Sequence, residues 1–178
     1  MKNRISMVIM FMATIIFALQ SLTGYAQDDK SKRPSPPAKV SDQIGNATVT
    51  IDYSQPAVKD RTIWGELVPY GKVWRTGANE ATTFEVSTDV QVEGKTLPAG
   101  KYALFTIPDE DEWTIIFNKE FNQWGSFEYD ESKDALRVMV KPEKSDETHE
   151  RLTFEIEKDG EVEFLWDDME VEFSVVAK

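Results

Sequence analysis

Apolar and polar residues alternate with a period of two along most of this chain, and that pattern restricts its fold more than any motif does. In "ATVTIDY", Val49, Ile51 and Tyr53 fall on one side and Thr48, Thr50 and Asp52 on the other. A helix scatters such a set around its axis, whereas a strand collects it on one face. The alternation returns at Phe84 and Val86, in "VQVEGKTL" around Glu93-Gly94-Lys95, and at Leu136, Val138 and Val140. Leu152, Phe154 and Ile156 lead into Asp159-Gly160, a turn able to take positive φ, and Val162, Phe164 and Trp166 resume the pattern. Asp167-Asp168 reads as a further turn, after which Val171, Phe173 and Val175 face inward. "GKYALFTIP" sets Tyr102, Leu104 and Thr106 against Ala103, Phe105 and Ile107, as in a strand covered on both faces, and the Ile-Ile-Phe run of "EWTIIFN" reads as buried. No segment keeps a helical period. About nine short strands with turns between them predict an all-β fold, an antiparallel β-sandwich or a jelly-roll-like relative of it.

Such a fold has to be held by its core, because the chain contains no cysteine. Disulfides, thiolate nucleophiles and cysteine-ligated metals are excluded with it. The N-terminus has the form of a secretory leader: basic Lys2 and Arg4, an apolar run from Ile5 to about Leu22, and Gly24 and Ala26 at the small-residue positions before Gln27. The expected organisation is a signal peptide over 1–26, a flexible Pro/Ser-rich lead-in over 27–39, and one domain over 40–178. The protein is expected outside the cytoplasm, periplasmic or extracellular, with no membrane span once the leader is removed. The formal charge is −12, with no basic run longer than Lys32-Arg33 after the leader, so nucleic acid is not an expected partner. The acidic runs "DEDE" and "WDDME" lack the spaced oxygen ligands and the glycine of a calcium loop, and no metal or cofactor is expected.

Two connections break the strand rhythm, 55–81 and 119–135. "TIWGELVPYG" and "YDESKDA" within them each have the makings of a short helical turn. Long connections in a compact domain are functional or are packed as structured excursions. In "GKVWRTGANEAT" a tryptophan, an arginine, an asparagine and a glutamate surround one glycine. Tyr70, Trp74, Arg75, Asn79 and Glu80, joined by Asn118 and Trp124 of the second connection, would make a ligand site: aromatic faces to stack, a guanidinium fork for an anionic or polar group, and amides to orient hydroxyls. That set suits a small polar molecule or a glycan. The same residues would equally pin the loops, with Trp64, Trp74 and Trp124 plugging an end of the core.

Catalysis has few candidates. His149 is the one histidine and stands in "DETHERL", away from both connections. A serine triad or a histidine metal site has nothing else to draw on. Paired carboxylates remain as an alternative: Glu66 or Glu80 with Glu128, Asp130 or Asp134 would make a glycan-cleaving pair. A protein-interaction domain using a sheet edge or an aromatic patch is the other alternative.

The segments "WGELVPYG" preceded by Arg61, "VWRTGANEAT", "LPAGKYALFTIP", "FNKEFNQWG" and "FLWDDMEVEFSV" resemble the domain of unknown function 2911 family, exported proteins found mainly in Bacteroidota. The resemblance runs from Ser41 to about Val176. The family usually shows Arg-Pro where this chain has Gln55-Pro56. The resemblance implies the fold and an exported compartment; it assigns no reaction and adds no catalytic residue.

Overall fold

The computed structural model describes residues 29–178; the expected signal peptide lies outside the described residues. Ten strands follow in chain order: β1 (Pro37–Ile44), β2 (Ala47–Ser54), β3 (Thr83–Val86), β4 (Val90–Val92), β5 (Lys95–Leu97), β6 (Gly100–Ile107), β7 (Trp113–Asn118), β8 (Asp134–Val140), β9 (Pro142–Ile156) and β10 (Glu161–Ala177). Short 3-10 turns occupy Lys30–Lys32 and Glu131–Lys133. The second lies inside "YDESKDA", as expected, whereas "TIWGELVPYG" forms plain turns instead of a helix. No helix among the described residues is long and apolar enough to cross a membrane.

The strands make two antiparallel sheets, a six-stranded one in the order β1-β2-β3-β6-β7-β8 and a four-stranded one in the order β5-β4-β10-β9. Period-two residues from both sheets fill the space between them: Ile51 and Phe84 from one side, Phe164 and Phe173 from the other. Phe84 meets Phe117 edge-on at 5.0 Å, and both rings lie 6.0 Å from Phe173. The molecule is therefore the sandwich that the alternation predicts. The opposite face of β6 and β7 is also buried. Ala103, Phe105 and Ile116 pack there against Ala81, with Val73 and Tyr129 from the long connections laid over them.

Two details depart from the one-strand-per-segment reading. β1 starts at Pro37, inside the segment read as lead-in, and pairs with β2 from Pro37 opposite Ser54 to Ile44 opposite Ala47. Its alternation is shallow, because Ala38 and Val40 are only half-buried. β10 is one unbroken extended run, yet it doubles back. A straight strand of its length would hold its ends roughly 50 Å apart. Instead the Val175 N–H donates to the Gly160 carbonyl at 2.7 Å. The register against β9 slips on either side of Asp167, which takes φ 57°. The reversal thus falls around Asp167, where the sequence predicts a turn between two strands and the structure has an irregularity within one continuous strand.

This closure sets a strict demand on Gly160. Its φ is +106°, and a Cβ there would sit 2.2 Å from the Val175 carbonyl oxygen. Gly94, at φ +73°, has open space around it. Gly160→Ala should therefore lower stability by about 3 kcal/mol or more, against about 1 kcal/mol for Gly94→Ala. Urea unfolding midpoints of the two variants measure the difference.

Candidate functional site

The two long connections run side by side. Glu80 and Trp124 form an isolated antiparallel bridge. Around it the Ala81 N–H donates to the Gln123 carbonyl at 3.1 Å, the Gly125 N–H to the Asn79 carbonyl at 3.1 Å, and Ser126 Oγ to the Val73 carbonyl at 3.2 Å. The first connection is also stitched to the sheet. Trp74 exchanges two backbone hydrogen bonds with Thr106, at 2.8 and 2.9 Å, alongside the end of β6.

Between those anchors the chain makes the tight reversal written "RTGANEAT". Thr76 and Asn79 take positive φ, 51° and 60°. Thr82 closes the reversal, its Oγ1 donating to the Thr76 carbonyl at 2.7 Å and its N–H to the Arg75 carbonyl at 3.3 Å. A Cβ on Gly77 would meet Thr82 Oγ1 at 2.9 Å and the Ser54 carbonyl oxygen at 3.2 Å, so this glycine permits a close approach of chain to chain.

The seven candidate residues do not converge on one cavity. Trp74 turns into the sandwich, stacked on Trp166 at 5.7 Å and edge-on to Trp64 at 5.9 Å, and its Nε1 donates to the Gly77 carbonyl. Asn118 is fully buried. Its Nδ2 donates to the Asp130 carbonyl at 2.9 Å and to Asp134 Oδ1 at 2.7 Å, and its Oδ1 accepts from the Glu120 N–H. Asn79 Nδ2 donates to the Ser35 carbonyl at 3.0 Å and to Ser54 Oγ at 3.2 Å. Tyr70 folds over Gly65 on another part of the first connection. Arg75 lies beside Gly125.

Glu80 and Trp124 meet the N-terminal segment. Lys30 Nζ and Arg33 Nη1 contact the Glu80 carboxylate at 2.8 and 2.9 Å, and the Arg33 guanidinium stands 5.9 Å from the centroid of the Trp124 ring. Partial burial opposes the charge on Glu80, but hydrogen bonds from Lys30, its own backbone N–H and Arg33 overcome it and hold the pKa at about 2. Neither cation was visible as a partner in the sequence, where residues 27–39 carry no periodic signal.

A cleft of ≈ 310 Å³ opens next to the Glu80–Trp124 bridge. Glu80 is the one of the seven candidates that lines it. Its other walls include Lys30, Asp52, Lys101, Phe121 and Asn122. Asp52 is flanked by Lys39 at 3.1 Å and Lys101 at 3.4 Å. Three aromatic rings of the second connection face water nearby in sequence: Phe121 is 42% exposed, Trp124 54% and Phe127 85%. Phe121 and Phe127 escaped the sequence reading, which weighed tryptophans and polar groups.

Three of the carboxylates proposed for an acid–base pair, Glu80, Asp130 and Asp134, have other partners. Asp134 accepts from Asn118, from Tyr129 at 2.7 Å and from Arg137 at 2.6 Å, and Asp130 caps the 3-10 turn through the Ser132 N–H. Burial, then the Asp134 acceptor, pushes the Tyr129 phenol up to about 12. A glycosidase acid must carry a proton near neutral pH. Glu80, ionised down to about pH 2, does not.

On the four-stranded sheet, Glu155, Glu157 and Glu163 bring carboxylate oxygens within 4.8 Å of one another, as do Glu163, Glu170 and Glu172. Burial, then the charges of Glu170, Glu155 and Glu172, raises the pKa of Glu163 to about 7.

The chain belongs to the family described as protein of unknown function (DUF2911), whose model matches residues 35–175. No match was found among curated proteins or among solved structures.

The two shifted glutamates give stability opposite slopes. Folded Glu163 keeps its proton up to about pH 7, while the unfolded chain releases it near 4.5, so its contribution is complete below pH 4.5 and is lost as the pH rises to 7. Glu80 contributes above pH 4.5 and loses its contribution as the pH falls towards 2. Stability should peak near pH 5, and Glu163→Gln should add about 1 kcal/mol at pH 8 and nothing at pH 4. Thermal unfolding of both chains across that range tests it.

Proposed function

We propose that the protein is an exported, non-catalytic binding module that takes a glycan or another small polar ligand where its two long connections meet. The observation that carries this reading is the cleft beside the Glu80–Trp124 bridge, in which an exposed aromatic ring, Phe121, stands among charged and amide groups. Sugar rings present an apolar face and a fringe of hydroxyls, and that pairing of surfaces is what they require. Phe121 would stack on a ring face, while Lys101, Asp52 and Asn122 would orient hydroxyls. The leader pattern before Gln27 supports export.

The commitments of Glu80, Asp130 and Asp134 favour binding over hydrolysis. A protein-interaction role is the second reading, and the exposure of Phe127, at 85%, favours it.

A thermal-shift panel of neutral and acidic oligosaccharides tests the first reading. A ligand at a hundred times its dissociation constant should stabilise the protein by about 2.7 kcal/mol. Phe121→Ala and Lys101→Ala should remove that gain while changing the unliganded protein by no more than about 0.5 kcal/mol. No stabilisation across the panel would overturn the reading.

A further inference from the structure

We infer that Arg75 is a subsite for an oxyanion, a carboxylate or sulfate group carried by the ligand. The inference rests on the binding-module reading and gives that ligand a charge.

Five arginines are described, and four of them are answered within the chain. Arg33 pairs with Glu80, and Arg137 with Asp134. Arg61 donates to the Val58 and Ala57 carbonyls, and Arg151 to those of Pro34 and Gln55. Arg75 is the exception. Its Nε is buried with no acceptor, and no ion pair reaches the guanidinium among the described residues. Burial alone acts on its acidity, pulling the pKa down, with no carboxylate set against it.

The buried Nε has lost water without gaining an acceptor, while the two Nη groups are left to take an outside partner. In a chain whose formal charge is −12 this cannot be ascribed to a shortage of carboxylates. The second connection passes directly beside this side chain. Gly125, at φ +69°, passes the cation so closely that a Cβ there would stand 3.3 Å from Arg75 Nη1. Its sequence neighbour Trp124 is half exposed, and the same Cβ position would lie 3.1 Å from the Phe127 ring, which therefore stands close to the cation. A planar fork of donors with the Phe127 ring close by fits an acidic sugar: the fork takes the oxyanion and the ring takes the sugar face. Lysine, a point charge, could not present the paired donors.

The test follows the Arg75 Nε–Hε NMR resonance in the ¹⁵N-labelled full chain. Inorganic sulfate, trigalacturonic acid and the methyl ester of that trisaccharide are added in turn. Sulfate and the acid should both move the resonance, and the acid should bind about tenfold more tightly than the ester, as one charge-assisted pair predicts. Arg75→Gln should remove the preference for acid over ester. Equal binding of acid and ester by the unaltered chain, with the resonance unmoved, would overturn the subsite and leave the glycan reading standing. A resonance that responds to sulfate while neither sugar binds more tightly than sulfate would keep the oxyanion site and remove the glycan. No response to any of the three would overturn the subsite.

Discussion

Four indoles close one end of the sandwich, and the placement of both long connections depends on them. Trp113 comes from β7 and Trp166 from β10, one from each sheet, while Trp64 and Trp74 reach in from the first connection. Trp64 lies edge-on to the other three, at 5.0 Å from Trp113, 5.7 Å from Trp166 and 5.9 Å from Trp74. Edge-to-face geometry sets the positive rim of one ring against the negative face of the next. The indole N–H groups of Trp64, Trp113 and Trp166 have no acceptor, a cost of about 1–3 kcal/mol each. Burial of rings this large outweighs that cost, at about 25 cal/mol for each Å² of apolar surface removed from water. Trp74, held there, fixes where its neighbours Val73 and Arg75 can go.

From that anchor the architecture is layered. The first connection lies over the outer face of β6, and the second lies beside the first. Each layer is secured mainly by bonds that end on backbone: Asn79 to Ser35, Asn118 to Asp130, Ser126 to Val73. The N-terminal segment adds charge pairing, with Lys30 and Arg33 on Glu80. Partly exposed pairs of this kind contribute little each, and the buried amides carry more of the order.

Most strands were legible because they have one wet face, so burial writes itself into the sequence at every second residue; β6 and β7, covered on both faces, showed instead as nearly continuous apolar runs. β1 was the exception, since Ala38 and Val40 are modest apolar residues placed directly after a Pro/Ser-rich run. The loops were legible only as exceptions to that rhythm. Their positions depend on single bridges, Trp74 to Thr106 and Glu80 to Trp124, and a single bridge has no period to read. Nor does residue type separate the roles: the asparagine that orients a hydroxyl and the asparagine that ties down a loop are the same residue. Trp64 and Trp74 do plug the core, as one reading of the sequence held, whereas Trp124 stands at the surface. Their partners Trp113 and Trp166 sit in ordinary strand positions, where nothing distinguishes an indole that receives a loop from one that merely fills space.

The tie of the second connection to its surroundings runs through Asn118, Gln123, Gly125 and Ser126, and mostly through main-chain atoms. Phe121, Trp124 and Phe127 nonetheless keep much of their rings in water, although Phe127 also touches Gly125. The shape of the loop is therefore set mainly by main-chain and amide bonds, and the chemistry it shows to water mainly by ring side chains. Substitution of the exposed rings leaves the buried amide and main-chain ties of the loop in place, so ring chemistry and loop shape can be altered separately.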